Sequence, residues 1–293
     1  MKPIMYGALL LGVAMPGAAM AQDGGAQADV DRVIVFGDSL SDGGFYDALL
    51  NLPEPQGSFT TNPDPVAPEV FAALQSFDLR PFYGEGGTNY AIGGARVSAP
   101  AGITIPIRTQ VANFLASDDF RPGDVAYIQG GGNDFFAYQA GGSVDTTILT
   151  SAANDLAAAV ADLEAAGARR IVTMAVQTDG TPDTAGIGTF NATFRQALAA
   201  QGSNALFFST DILYAEIAAD PAAFGIVNLT DPACTTPSSL NCTRDTLVTP
   251  DANETYVLAD AVHPTGIAQR IQGQAIASLF DAPAQLGALG LIA

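Results

Sequence analysis

The chain contains a single histidine, His263, in the stretch LADAVHP, three residues after Asp260 and directly before Pro264. An aspartate at that distance can hold one ring nitrogen and fix the tautomer, leaving the other nitrogen free to act as a base. A lone histidine is more often a satisfied structural side chain, but the neighbouring aspartate and the following proline argue for chemistry. A base needs a proton to take, and Ser39 in FGDSLSD offers one. A serine hydroxyl is a poor nucleophile until a base removes that proton. Standing alone, Gly37-Asp38-Ser39 reads as a turn in which Ser39 or Ser41 caps a helix. Serine chemistry also needs donors in place for the oxyanion. The paired glycines Gly93 and Gly94 in NYAIGGA allow backbone to approach a ligand closely, and GGGND carries the side-chain amide of Asn133. Each stretch by itself is explicable as a turn. Together they point to a nucleophile, Ser39, a base, His263, an orienting acid, Asp260, and amide donors for the oxyanion.

Such groups must be brought together by a scaffold. RVIVF at residues 32–36 and DVAYIQ at 124–129 are short apolar runs that stop at glycine, which predicts buried strands. Residues 170–176 and 204–208 predict two more. Between them, residues 151–166 carry Leu156, Val160 and Leu163 at helical spacing, residues 190–200 carry Phe190, Phe194 and Leu198, and residues 264–280 carry Ile267, Ile271 and Ile276, with Pro264 in the first turn. Continuous apolar strands alternating with amphipathic helices predict an α/β fold with a parallel sheet covered on both faces. Ligands in such folds bind beyond the carboxyl ends of the strands, where the glycine-bounded motifs stand. No repeat or linker divides the chain, so residues 32–293 are expected to form one domain, with Pro-rich loop insertions near 52–68 and 231–253.

Composition removes several other classes. The formal net charge is −19, which disfavours nucleic acid and anionic membrane surfaces as partners. One histidine and two cysteines cannot build a common zinc site, and Lys2 is the only lysine, so no P-loop or Schiff-base site is expected. Residues 1–21 combine Lys2, a short apolar core interrupted by Gly7, Gly12 and Pro16, and the site Ala19-Met20-Ala21. That pattern predicts a bacterial secretory signal cleaved after Ala21, followed by a loose leader over 22–31 and a secreted or periplasmic location. The apolar core is too short for a stable membrane span. In an oxidising compartment Cys234 and Cys242 are expected to pair and staple a long loop.

FGDSLSD, NYAIGGA, GGND and DAVHP resemble the four sequence blocks of the GDSL, or SGNH, serine hydrolases. The resemblance runs from about residue 32 to 280. It implies a flavodoxin-like three-layer α/β/α sandwich, a triad of Ser39, Asp260 and His263, an oxyanion hole made by the Ser39 and Gly94 amides and Asn133, and no metal or organic cofactor. Gly94 is preferred to Gly93 because the family's glycine usually stands five positions after the block's asparagine, matched here by Asn89. The stretch GSFTTNPDPVAPEVFA and the tail LFDAPAQLGALGLIA are similar to secreted and autotransporter esterases of this type, although GDSLSDGGF departs from their usual Thr-Gly-Asn. No sequence for a membrane β-barrel follows, so a released protein is expected.

Aromatic residues beside the motifs, Phe45, Tyr46, Phe135, Phe136 and Tyr138, are candidates for the substrate pocket, with core packing the alternative for some. The expected partner is a small-molecule or lipid ester: a short- to medium-chain acyl ester or an aryl ester. An acyltransferase, a lysophospholipase or a carbohydrate acetylesterase would use the same residues, whereas a binding module without activity would have no need of an intact triad.

Overall fold

The computed structural model describes residues 30–53, 55–176 and 184–282. The expected signal at 1–21 and nearly all of the leader lie outside the described residues. The four predicted strands form one parallel sheet: β1 (Arg32–Phe36), β2 (Asp124–Ile128), β3 (Ile171–Met174) and β4 (Leu206–Phe208), in the order β1-β2-β3-β4. β1 and β2 run in step from Arg32 opposite Asp124 to Phe36 opposite Ile128. Beyond β1, residues 88–92 run alongside it without forming a regular strand. Val35 donates to Thr88 O, Tyr90 to Val35 O and Ile92 to Gly37 O. Counting that segment as the second strand in the chain, the order across the sheet becomes 2-1-3-4-5, the flavodoxin-like arrangement. Its reversal point lies between the ends of β1 and β2, where open sheets bind ligands.

Why these runs are apolar at nearly every position follows from what covers them. Ile34, Phe36, Ala126 and Ile128 pack against α3 (Ile107–Ser117), α5 (Thr147–Ala165) and α6 (Thr184–Ala200). Their alternates Val33, Val35, Val125, Tyr127, Val172 and Met174 pack against α2 (Ala67–Leu74), α7 (Thr210–Ala219) and α9 (Gly266–Phe280). Period-two alternation thus fills two cores, one on each side, and gives the three layers. The short α1 (Phe45–Leu50) and α4 (Gly132–Ala140) follow the ends of β1 and β2. A second sheet pairs β5 (Asn228–Pro232) with β6 (Tyr256–Leu258) in parallel, with the one-turn α8 (Ala252–Thr255) just before β6.

Several boundaries differ from the sequence expectation. β3 stops two residues early because the Asn191 side chain takes both the amide and the carbonyl of Val176, at 2.8 and 2.9 Å. α9 starts at Gly266 and not at Pro264. Pro264 forms a bridge back to Leu258, and Thr265 donates its amide to Val257 O, so the chain is still leaving β6 at the proline.

The two Pro-rich loops are keyed to each other. Asn62 sends its side-chain amide to Ser239 O and Cys242 O, both at 3.0 Å, and Arg244 grips Asp64 with two bonds. Thr60, Thr61 and Asn62 are buried, and Thr61 Oγ1 accepts from the Gly266 amide at the start of α9. Cys234 and Cys242 form the expected disulfide. Among the described residues, no helix is long and apolar enough to cross a membrane.

Candidate active site

Ser39 stands three residues beyond β1 in a turn fixed from two directions. Gln110, fully buried on α3, clasps Gly37 by accepting from its amide and donating to its carbonyl, both at 2.9 Å. The Asp38 carboxylate accepts from the Leu40 amide and, at 2.6 Å, from Gln129 Nε2 at the end of β2. Burial pushes the Asp38 carboxyl above the usual range, against those two bonds.

At the far end of the chain, the turn after β6 carries Asp260 and His263. His263 Nε2 lies 2.9 Å from Ser39 Oγ, and Nδ1 lies 3.0 and 2.9 Å from the two carboxylate oxygens of Asp260. Asp260 also accepts the amides of Val262 and His263 at 2.9 and 2.8 Å, and that of Ser239 at 2.6 Å. Burial alone would raise its pKa. The imidazole and these amides outweigh burial and hold the carboxyl well below the usual carboxylate range. Phe59, from the 52–68 loop, lays its ring on the imidazole with centroids 4.9 Å apart.

The glycine pair is anchored by Asp42, whose buried carboxylate accepts from Gly93 N at 2.7 Å, Phe45 N at 2.7 Å and Gly44 N at 3.0 Å. Burial pushes Asp42 up to about 6. Tyr46 donates its hydroxyl to Gly93 O, and a Cβ on Gly93 would stand 2.2 Å from Phe59 Cε2. Gly93 is therefore occupied on both backbone groups. Gly94 adopts φ +80°, a conformation that favours glycine. Among the described residues, the amides of Ser39 and Gly94 donate to no other protein group.

Asn133 sits in the first turn of α4 and donates one Nδ2 proton to Ala95 O at 3.0 Å, leaving its second proton free to be aimed elsewhere. The adjacent Asp134 accepts from Val97 N and Arg96 Nε, so two consecutive residues of α4 hold the 93–97 segment in place.

Ser39 and Asn133 open onto a cleft lined by Phe135, Phe136, Val176, Ile187, Leu258 and Val262. Of the five aromatic candidates, two reach it. Phe45 and Tyr46 do not, because they pack edge to face on each other and on Tyr83 and Phe59. Tyr138 does not either, because α4 turns it into the core, where its hydroxyl donates to Ser143 O. Gly94 directly precedes Ala95, whose carbonyl accepts the Asn133 amide, which ties the glycine pair to the asparagine. Sequence reasoning missed Asp42, Phe59, Gln129 and Ser239. Only Asp42 carried a local signal, as the second acid of DSLSD. Among the described residues, no three histidine, cysteine, aspartate or glutamate side chains cluster to hold a metal ion.

A family model described as GDSL-like Lipase/Acylhydrolase matches residues 33–276. The chain belongs to that family. Among curated proteins, Esterase EstA of Pseudomonas aeruginosa is 28% identical over 350 residues, covering 98% of this chain and 51% of that protein. An uncharacterized protein in the trpE-trpG intergenic region of Pseudomonas putida is 27% identical over 317 residues, covering 92% and 51%. The chain thus spans about half the length of the curated relatives it matches. Among solved structures, Axe2, an acetylxylan esterase from Geobacillus stearothermophilus, superposes with a TM-score of 0.47 at 16% identity, over 86% of this chain and 94% of that one.

Proposed function

We propose that this family member is a carboxylic-ester hydrolase that works through an acyl-Ser39 intermediate. The observation that carries the reading is the unbroken line of hydrogen bonds from Ser39 Oγ through His263 to Asp260. In the proposed cycle, His263 Nε2 takes the Ser39 proton as Oγ attacks the ester carbonyl. Asp260 stays ionised and stabilises the imidazolium. The Ser39 and Gly94 amides and Asn133 Nδ2 receive the oxyanion, each donor contributing about 10²–10³ in rate. Gly94 is favoured over Gly93 because the Gly93 amide is already taken by Asp42. Collapse of the tetrahedral intermediate expels the alcohol, protonated by His263. Water then repeats the sequence on the acyl-enzyme and regenerates Ser39.

The apolar cleft beside Ser39 suits a short- to medium-chain acyl group or an aryl ester, whether from a small molecule or a lipid. The disulfide and the signal-like residues 1–21 support a location outside the cytoplasm.

The test is turnover of p-nitrophenyl acetate and butyrate by Ser39→Ala, with lysophospholipids, acetylated sugars and an added alcohol as competing substrates and acceptor. Loss of turnover in the variant is the expected result. Undiminished turnover refutes the mechanism, and transfer to the alcohol in preference to water would reassign the enzyme as an acyltransferase.

A further inference from the structure

The carboxylate of Asp260 is held by its own turn on one side and by a distant loop on the other. Oδ1 accepts the amides of Val262 and His263, both within three residues. Oδ2 has, besides the imidazole at 2.9 Å, one further donor: the amide of Ser239 at 2.6 Å, from a residue that is fully buried. Because His263 Nδ1 is almost equidistant from both oxygens, the imidazole alone does little to stop the carboxylate rotating. The Ser239 amide pins Oδ2 from outside the turn as the two turn amides pin Oδ1, and at 5% exposure Asp260 has little contact with solvent that could replace that donor.

The loop that carries this amide is moored on every side. It is closed by the Cys234–Cys242 disulfide. Cys234 donates its amide to Ala259 O, next to Asp260 itself, and Ser239 O accepts both from Cys242 N at 2.9 Å and from Asn62 Nδ2 at 3.0 Å. Ser238 caps the turn by accepting from Leu240 N. The serine hydroxyl is not what the position uses, since Ser239 Oγ is buried with no hydrogen-bond partner among the described residues.

We infer that the backbone amide of Ser239 is a positioning group for the triad acid, and that the disulfide acts in catalysis by holding that amide against Asp260. The inference rests on the proposed triad, so its test must be able to fail separately from it. Ser239→Pro removes the N–H and sets the ring Cδ in the proton's place, which pushes Oδ2 of Asp260 off the amide. Residue 239 opens a 3-10 turn and follows Ser238 in an extended conformation at ψ 135°, a backbone that proline tolerates. Ser239→Ala keeps the amide and removes only the idle hydroxyl.

The readouts are kcat and KM on p-nitrophenyl butyrate and the low-field proton resonance of the hydrogen-bonded Nδ1–H, which is unambiguous with one histidine in the chain. Ser239→Ala is expected to stay within about twofold of the parent. Ser239→Pro is expected to lose about tenfold or more in kcat with KM within about twofold, and to displace or lose the resonance. The double variant Cys234→Ser/Cys242→Ser is expected to move in the same direction by a smaller factor. Full activity in His263→Ala or Ser39→Ala overturns the triad reading itself. If both of those are inactive while Ser239→Pro matches Ser239→Ala in kcat and resonance, the inference is overturned. Should the proline variant not fold, the double cysteine variant decides, and an unchanged kcat and resonance there overturns it.

Discussion

Asp42→Asn isolates what the buried carboxylate behind the glycine pair contributes. Its two oxygens accept three backbone amides, and of these only the Gly93 amide, at 2.7 Å, belongs to the segment proposed to receive the oxyanion. In the variant, the remaining carbonyl can keep the Gly44 and Phe45 amides, which places the new NH₂ group against the Gly93 N–H. A charge-assisted bond of about 1.5–3 kcal/mol is lost, and two buried donors are left facing each other at about 1–3 kcal/mol. The 93–94 turn relieves this conflict by moving, and Gly94 is carried with it. Outright loss of one oxyanion donor costs about 10²–10³ in kcat, so a displaced donor should cost about 10–100-fold. KM should stay within about twofold, because the cleft is built from other residues. Steady-state kinetics on p-nitrophenyl butyrate, with a urea melt on the same preparation, separates the outcomes. A variant that loses stability yet keeps its kcat would refute the assignment of Asp42 to the oxyanion turn.

Three further outcomes follow from the geometry. Gly93→Ala drives a methyl group into Phe59, 2.2 Å away, and should cost about 1–3 kcal/mol in stability and lower kcat as the ring leaves His263. Calorimetry should show part of the stability regained in Gly93→Ala/Phe59→Leu, and an unchanged melting temperature in the single variant would refute the contact. Phe136 is 44% exposed where it lines the cleft, so Phe136→Ala should leave the melting temperature unchanged while lowering kcat/KM for longer acyl esters about fivefold relative to acetate. Equal losses at every chain length in an acyl series would remove Phe136 from the acyl site. Burial pushes Glu69 up to about 7, above its unfolded value near 4.3, so the native state binds more protons between those values. The stability Glu69 contributes is complete below about pH 4 and is lost as pH rises toward 7. Urea titrations of the parent and Glu69→Gln should diverge across that window, and parallel curves would contradict the shift.

What the sequence discloses and what it hides have different physical origins. The four central strands are legible because a sheet covered on both faces gives nearly continuous apolar runs, and β1 and β2 also run out into glycine. α5, α6 and α9 are legible because each presents one apolar stripe. α4 is hidden because it starts within a run of three glycines, and β5 because Asn228–Pro232 is polar and mostly exposed. Ser39, Asp260 and His263 can be read off as residue types at telling positions, and scarcity singles out the histidine. The Ser239 amide cannot, because a backbone N–H has no letter of its own. Nor can the packing of the Phe59 ring against His263, which depends on a loop more than two hundred residues away in the chain.

The bond between His263 and Ser39 joins residues 224 positions apart. The helix that follows the histidine, α9, seats its Gln269 on the Ala67 amide and its Gly273 against Val70. During synthesis Ser39 and its strand emerge 224 residues before the imidazole proposed as its base. On the proposed mechanism, a nascent or half-threaded chain holds a serine without its base. Competence then waits for α9 to dock on α2 and bring His263 to Ser39, a delay set by the order of the elements along the chain.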